Sequence, residues 1–280
     1  MSDQLTQADQ SEPGNSQPLT VEDRVHIVPL GYEFDRVVTP LVELRADKVI
    51  FLKHVEDGGQ QPPYHDWIYQ FLKHRSIETV DIQCSIFDLY QALGTIAEQI
   101  TRHRDDDVYV NLSSGSKLTA IGGMIACMTE DATAYYLRAD IYGEDVVDAL
   151  ASDDRFSELV DRDLLEESHP VAHSARSPVE IPAYPIDHPS YQDISVMEYL
   201  ERVGSADKGQ IIEFAKETGL PFLEGLESSE GQGEYRRLES RVLRSLREDG
   251  YIDVTEKGRK KVVSLTERGQ QTLEAFQYMI

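Results

Sequence analysis

The sequence predicts an α/β protein, with a Rossmann-like parallel sheet domain followed by a C-terminal winged helix-turn-helix domain. Three observations carry this prediction. Strand-like and helix-like blocks alternate from Arg24 to Leu137, a proline-rich connector follows, and residues 191–280 read as helices followed by a hairpin with a basic tip. Residues 1–22 are polar, rich in Gln and Ser, and carry no charged-then-apolar secretion signal, so they read as a disordered tail.

In the first domain, residues 23–167, the β-rich runs are Arg24–Leu30, Lys48–Val55, Thr79–Cys84, Asp107–Leu112 and Thr133–Leu137. Helix-length segments lie between them at Phe34–Arg45, Tyr64–Arg75, Phe87–Arg104 and Ser116–Glu130. Four strand–helix pairs in succession imply a parallel sheet with crossover helices. Pro40 either kinks the first helix or delays its start to Thr39. Asp145–Glu167 reads as an acidic helical segment. Five prolines make residues 168–190 a stiff connector, within which Val179–Ile186 is a candidate edge strand.

In residues 191–280, a first helix holds Ile194, Met197, Leu200 and Val203, and a second spans Gln210–Glu217, ended by Gly219 and Pro221. Glu224–Glu234 reads as a loop. A recognition helix from Tyr235 places Tyr235, Leu238, Val242 and Leu246 on one face and Arg237, Arg241 and Arg244 on another. Gly250 stops it. The hairpin Tyr251–Val254 and Val262–Leu265 carries Lys257, Arg259, Lys260 and Lys261 at its tip. A last helix begins after Thr266 and offers Leu273, Phe276 and Met279 for dimer or domain contacts.

Charge sharpens the functional reading. The chain has 27 basic and 51 acidic residues, a net charge of −24. An acidic surface with nine lysines to eighteen arginines suits a protein working in concentrated salt. Within Tyr235–Lys261 the balance reverses to nine basic against five acidic residues, so this stretch predicts contact with double-stranded DNA. Arg237, Arg241 and Arg244 are expected in the major groove, Arg236 and Arg247 beside phosphates, and Lys257, Arg259, Lys260 and Lys261 on the backbone from the wing.

Ligands of parallel sheets sit beyond the carboxyl ends of the strands. Two loops there are chemically pointed, Pro29–Arg36 with Gly31 and Tyr32, and Asn111–Lys117 with Ser113, Ser114, Gly115, Ser116 and Lys117. Hydroxyls, a glycine, the N–H groups of a helix start and a lysine make the second an expected anion site, for phosphate. Tyr32 could stack on a base. The loop is not a P-loop, and G-x-G-x-x-G, G-x-S-x-G and H-E-x-x-H are missing. No catalytic residue, metal or cofactor is assigned. His54, His65 and His74 read as surface residues, and Cys84 and Cys127 as small buried ones. No apolar run approaches membrane length, and a cytoplasmic location is expected.

The loop with Gly31, the Asn111–Lys117 motif opening a helix, and the winged helix behind them resemble the CRISPR-associated Rossmann-fold (CARF) transcriptional regulators, of haloarchaeal type. Members usually carry a Thr-Gly-Gly-Thr-like loop where this chain has Ser113-Ser114-Gly115-Ser116. The resemblance implies a homodimer that binds a nucleotide second messenger, a cyclic oligoadenylate, at its two-fold axis and responds as a DNA-binding regulator. A ring-nuclease reading would have Ser113 or Ser114 position a 2′-hydroxyl while Lys117 steadies the transition state, but no general base is evident. A protein–protein adaptor is the third reading.

Overall fold

In this computed structural model the described residues are 21–54, 62–142, 170, 172–225, 231–257 and 260–280, with 145, 148, 149 and 152 between them. Six strands form the main sheet: β1 (Arg24–Leu30), β2 (Lys48–Lys53), β3 (Glu78–Gln83), β4 (Asp107–Asn111), β5 (Thr133–Tyr136) and β8 (Val179–Ile181). Their order is β3-β2-β1-β4-β5-β8, all parallel except β8, which pairs antiparallel with β5. The connector thus supplies the edge strand. A separate antiparallel pair, β6 (Ala139–Tyr142) with β7 (Ala172–Ala175), was not foreseen from the sequence. Both runs are four residues long and carry a weak alternation signal. Most of the 145–167 segment lies outside the described residues.

Helices cover both faces of the sheet. α1 (Asp35–Glu43) and α2 (Pro63–His74) pack on one side around Val37, Leu41, Ile68 and Leu72. α3 (Leu89–Arg102) and α4 (Lys117–Glu130) cover the other, around Leu93, Ile96, Ala126 and Cys127. Burial on two faces explains why β1 is nearly all apolar rather than alternating. Cys84 and Cys127 are buried, as expected, and no disulfide joins them. α1 runs through Pro40 instead of starting at Thr39. The proline cannot donate to the Arg36 carbonyl four residues back. The Asn111 side chain donates to it instead at 2.9 Å, so β4 supplies the bond the helix lacks.

One core group has a stability consequence. His26 is fully buried in β1, stacked on Tyr109 and hydrogen-bonded to Tyr135 at 3.2 Å, and burial lowers its pKa to about 3. The unfolded chain would take up a proton below 6.5 that the folded chain refuses. Stability is therefore complete above that value and is lost as pH falls toward 3. Between pH 7.5 and pH 5 the loss from this residue is about 2 kcal/mol. Urea titrations at the two pH values should show it, and His26→Gln should remove most of the difference.

The second domain is α5 (Tyr191–Val203), β9 (Ala206–Asp207), α6 (Lys208–Thr218), α7 (residues 231–248), a hairpin of β10 (Ile252–Lys257) and β11 (Lys260–Leu265), and α8 (Glu267–Phe276). Capping boxes open two helices, Ser190 with Asp193 and Asp207 with Gln210, and Thr266 caps the last through Gly269 N. β9 joins the hairpin as a third strand against β11. This is a winged helix.

α7 joins Gly231–Leu238, a π segment Glu239–Leu243 and Arg244–Glu248 into one helical run. It starts four residues before Tyr235, because Gly231–Glu234 are already helical where the sequence suggested a loop. Tyr235 does not enter the core either; it is 46% exposed. The π turn widens the helix, so Val242 and Leu243 are both buried between Leu238 and Leu246. A constant 100° step cannot anticipate that.

The two domains share a hydrophobic cluster. α8 lies on α3, with Leu273, Ala275 and Phe276 buried, Tyr90 Oη donating to Gln271 Oε1 at 3.0 Å and Tyr278 Oη to Glu130. A Cβ on Gly94 would sit 3.0 Å from the Glu274 and Ala275 carbonyl oxygens, so the helices meet backbone to backbone. The last helix therefore serves domain contact. Among the described residues, no helix is long and apolar enough to cross a membrane.

Candidate ligand site and nucleic-acid face

The sheet order reverses between β1 and β4, so the loops leaving these neighbours flank a topological switch point. They meet there. A Cβ on Gly31 would stand 2.8 Å from Gly115 N and 2.9 Å from Gly115 Cα, while Gly115 itself has φ +79° and lies over Pro29. Only glycine at both positions allows this crossing.

The hydroxyls do not converge on one point. Ser113 Oγ accepts from Leu137 N at 2.6 Å. Ser116 caps α4 through Thr119 N at 3.0 Å and also donates, as Thr119 does, to the Ile86 carbonyl. Ser114 Oγ is buried with no hydrogen-bond partner among the described residues. Lys117 and Tyr32 are exposed, Lys117 as the first residue of α4. Asn111 fixes the loop from below, accepting from Ser113 N at 2.7 Å while holding Arg36 O.

Four further residues complete the surroundings. Glu33 is buried, its Oε2 takes the Gly115 N–H in a long 3.4 Å hydrogen bond, and burial raises its pKa. Arg36 is buried too, donating to Ser113 O at 3.1 Å and lying 5.7 and 5.8 Å from the Tyr136 and Tyr142 ring centroids. His65 is not a surface residue. Its Nε2 bonds the Gly31 carbonyl at 2.8 Å, and burial lowers its pKa, favouring the neutral ring. Tyr64 Oη beside it is buried without a hydrogen-bond partner among the described residues. A single acidic residue in a loop and an adjacent Tyr-His pair at a helix start gave no sequence pattern. The Gly31 turn was the available signal, since whatever packs on it must come close.

No group of three or more His, Cys, Asp or Glu among the described residues could hold a metal ion. The arrangement offers a helix start, an exposed lysine, an exposed aromatic ring and a set of buried polar groups beneath a backbone crossing.

On the winged helix, several basic side chains already have partners. Arg237 Nη1 donates to the Glu224 carbonyl, Arg247 pairs with Glu239 at 2.9 Å and Lys260 with Asp207 at 2.7 Å. Glu239 also holds Lys208 at 2.7 Å. Arg236, Arg241, Arg244 and Lys261 are exposed, with no side-chain partner among the described residues. Arg259 and the Lys257 side chain lie outside the described residues.

Residues 24–142 match the family described as HFX_2341_N-like, N-terminal, and residues 192–277 match the DUF6293 C-terminal winged helix domain. A search of curated proteins finds no match. Among solved structures, the chain is similar to Enterococcus italicus Csm6 bound to cyclic hexa-2′-fluoro-hexa-dAMP, at 10% identity and TM-score 0.39, over 82% of this chain and 56% of that one. It is also similar to Can2 from Sulfobacillus thermosulfidooxidans in complex with cyclic tetra-adenylate, at 11% identity and TM-score 0.36, over 91% and 64%. A third is protein VC1899 from Vibrio cholerae, at 14% identity and TM-score 0.35, over 91% and 65%. The chain thus spans less than two thirds of the length of these structures, and at such values the ligand question falls to the residues themselves. On its two matched segments, the chain joins an HFX_2341_N-like N-terminal domain to a DUF6293 C-terminal winged helix domain, a Rossmann-like sheet followed by a winged helix.

Proposed function

We propose that this protein is a ligand-responsive, homodimeric DNA-binding transcription regulator whose Rossmann-like domain senses a phosphate-bearing nucleotide, a cyclic oligoadenylate. The observation that carries the reading is mechanical continuity. α4 opens at the Gly115 loop and packs on α3, where a Cβ on Gly122 would lie 3.1 Å from Leu93 N, and α3 in turn packs on α8 of the winged helix through Gly94. Anything that shifts the start of α4 is felt two helices away, because packed elements move as bodies. The exposed apolar residues Leu118 and Ile121 on α4 suit a second copy beside the ligand loop. A ring-shaped polyanion matches two such loops on a two-fold axis. High salt and a cytoplasmic setting complete the proposal.

The test is fluorescence polarisation with duplex DNA, with and without cyclic tetra- or hexa-adenylate, while product formation from the ring is followed in parallel. The regulator reading expects DNA affinity to change with ligand and the ring to remain intact. Turnover would favour the ring-nuclease reading, and no interaction with ligand or DNA would favour an adaptor. Within this scheme, replacing Arg241 and Arg244 by Ala should reduce the slope of log affinity against log salt by about 0.9 for each phosphate no longer neutralised. If either arginine reads a base edge, about 1–3 kcal/mol of discrimination goes with it. Arg247→Ala should do less, because Glu239 already holds that guanidinium. An unchanged salt slope in the double variant would remove α7 from the interface.

A further inference from the structure

Glu33 is out of place in a site built for anions. Its carboxylate is buried at the crossing of the two loops, accepts the backbone N–H of Gly115, and has no ion-pair partner among the described residues. Arg36, the cation acting on it, turns Nη1 to Ser113 O and Nη2 to Tyr142 Oη, and its Nε is buried without a hydrogen-bond partner among the described residues. Around it, Ser114 Oγ, Tyr64 Oη and His65 Nδ1 are likewise buried without hydrogen-bond partners among the described residues. A buried carboxylate without a salt bridge and four orphaned polar atoms are each unfavourable, and native structures rarely keep them together without a use.

We propose that the Glu33 carboxylate is a built-in competitor for the anion position at the Gly31–Gly115 crossing, so that the site yields only to a phosphate group able to displace it. This rests on the ligand reading above and deepens it. A carboxylate and a phosphate both present acceptor oxygens to a backbone N–H, so one can stand in for the other. In the free protein Glu33 occupies the donor and keeps the two loops together. A weakly held anion meets a like charge. A polyanion that also engages Lys117 and the helix start gains enough elsewhere to move Glu33 aside. Its departure frees the loop that opens α4.

The competitor carries a pH signature. The charged and titratable groups acting on Glu33 are Arg36 on α1 and Tyr64 on α2, and beside them His65, whose own charged neighbours are Lys53 on β2 and Asp66 on α2, holds the Gly31 carbonyl. As pH falls through its raised pKa, the Glu33 carboxyl becomes neutral and anion affinity rises. Protonation of His65 would act in the same direction, so Glu33→Gln and His65→Asn separate the two.

The experiment measures two quantities on the full chain: the Tm shift produced by inorganic phosphate at constant ionic strength, and the affinity for cyclic tetra- and hexa-adenylate by calorimetry as the pH is lowered from neutrality. Glu33→Gln should be stabilised more by phosphate than wild type. It should bind the adenylate ring at least about threefold tighter at neutral pH, as expected when a like charge is removed from an anion site. Its affinity should also flatten with pH, while His65→Asn keeps the slope. An equal or smaller response of Glu33→Gln to phosphate overturns the proposal. If Glu33→Gln fails to fold, Glu33→Ala is judged by the same criterion. Should neither ring bind wild type while phosphate still favours Glu33→Gln, the competitor stands and the oligoadenylate reading falls.

Discussion

Gly269→Ala is expected to lower the stability of the winged helix by about 3 kcal/mol or more, against a gain of about 1 kcal/mol from the better helix former. The residue is the third of α8, where its N–H bonds the Thr266 cap at 3.0 Å. A Cβ there would run into the Tyr251 carbonyl oxygen. That carbonyl cannot step aside, because it accepts Thr266 N at 3.0 Å while Tyr251 N donates to Leu246 O at 2.8 Å. The clash therefore falls on the joint between α7, the hairpin and α8. Because α8 also packs on α3, the loss should spread to the first domain and broaden or split its thermal transition. Gly231→Ala is the control: it too lies in a helix, but nothing among the described residues stands within 4 Å of its Cβ, so stability should hold or rise slightly. Equal Tm values for the two variants would show that the Tyr251 carbonyl yields.

The sheet was legible because its strands are buried on both faces and read as apolar runs, as Val25–Leu30 and Val49–Leu52 do. Caps and stops were equally plain: Thr266 opens α8, and Gly250, with φ +75°, ends α7. Three kinds of feature were not legible. The π turn at Glu239–Leu243 depends on packing, so the arginine stripe could be placed on the right helix but not in its register. The run through Pro40 needs Asn111, 71 positions further on, to satisfy the Arg36 carbonyl. The hydroxyls of Ser113 and Ser116 were counted as ligand groups by type, yet each has a partner brought in by tertiary structure, Leu137 N and Ile86 O. Residue type marked the loop correctly as polar and glycine-bearing. Which polar groups remain free is a property of contacts, and Glu33, Tyr64 and His65 entered the site through contacts alone.

Gly115→Ala should weaken phosphate-bearing ligands on the order of 100-fold, about 2.8 kcal/mol, while DNA binding without ligand stays nearly intact. Two costs act together at this residue. At φ +79° an L-residue is strained by about 1–2 kcal/mol. Its Cβ would also stand 2.7 Å from Pro29 Cβ, the end of β1, where the surrounding strand is fixed by pairing with β2 and β4. Relief has to come from the loop, which would lift away from Gly31 and carry Gly115 N off the line it now shares with Glu33. The N–H that an anion needs is then misdirected, and a displacement near 1 Å is sufficient for a large loss when binding depends on fixed donors. The displacement ends before α4, whose start stays capped by Ser116 through Thr119 N at 3.0 Å, so the helices that reach the winged helix keep their places and its core around Leu238, Val242 and Leu246 is not strained. Calorimetry with cyclic tetra- and hexa-adenylate, beside polarisation with duplex DNA, separates the outcomes. Loss of ligand with DNA binding retained places the anion at the loop crossing; undiminished ligand affinity would move the site elsewhere on the sheet edge.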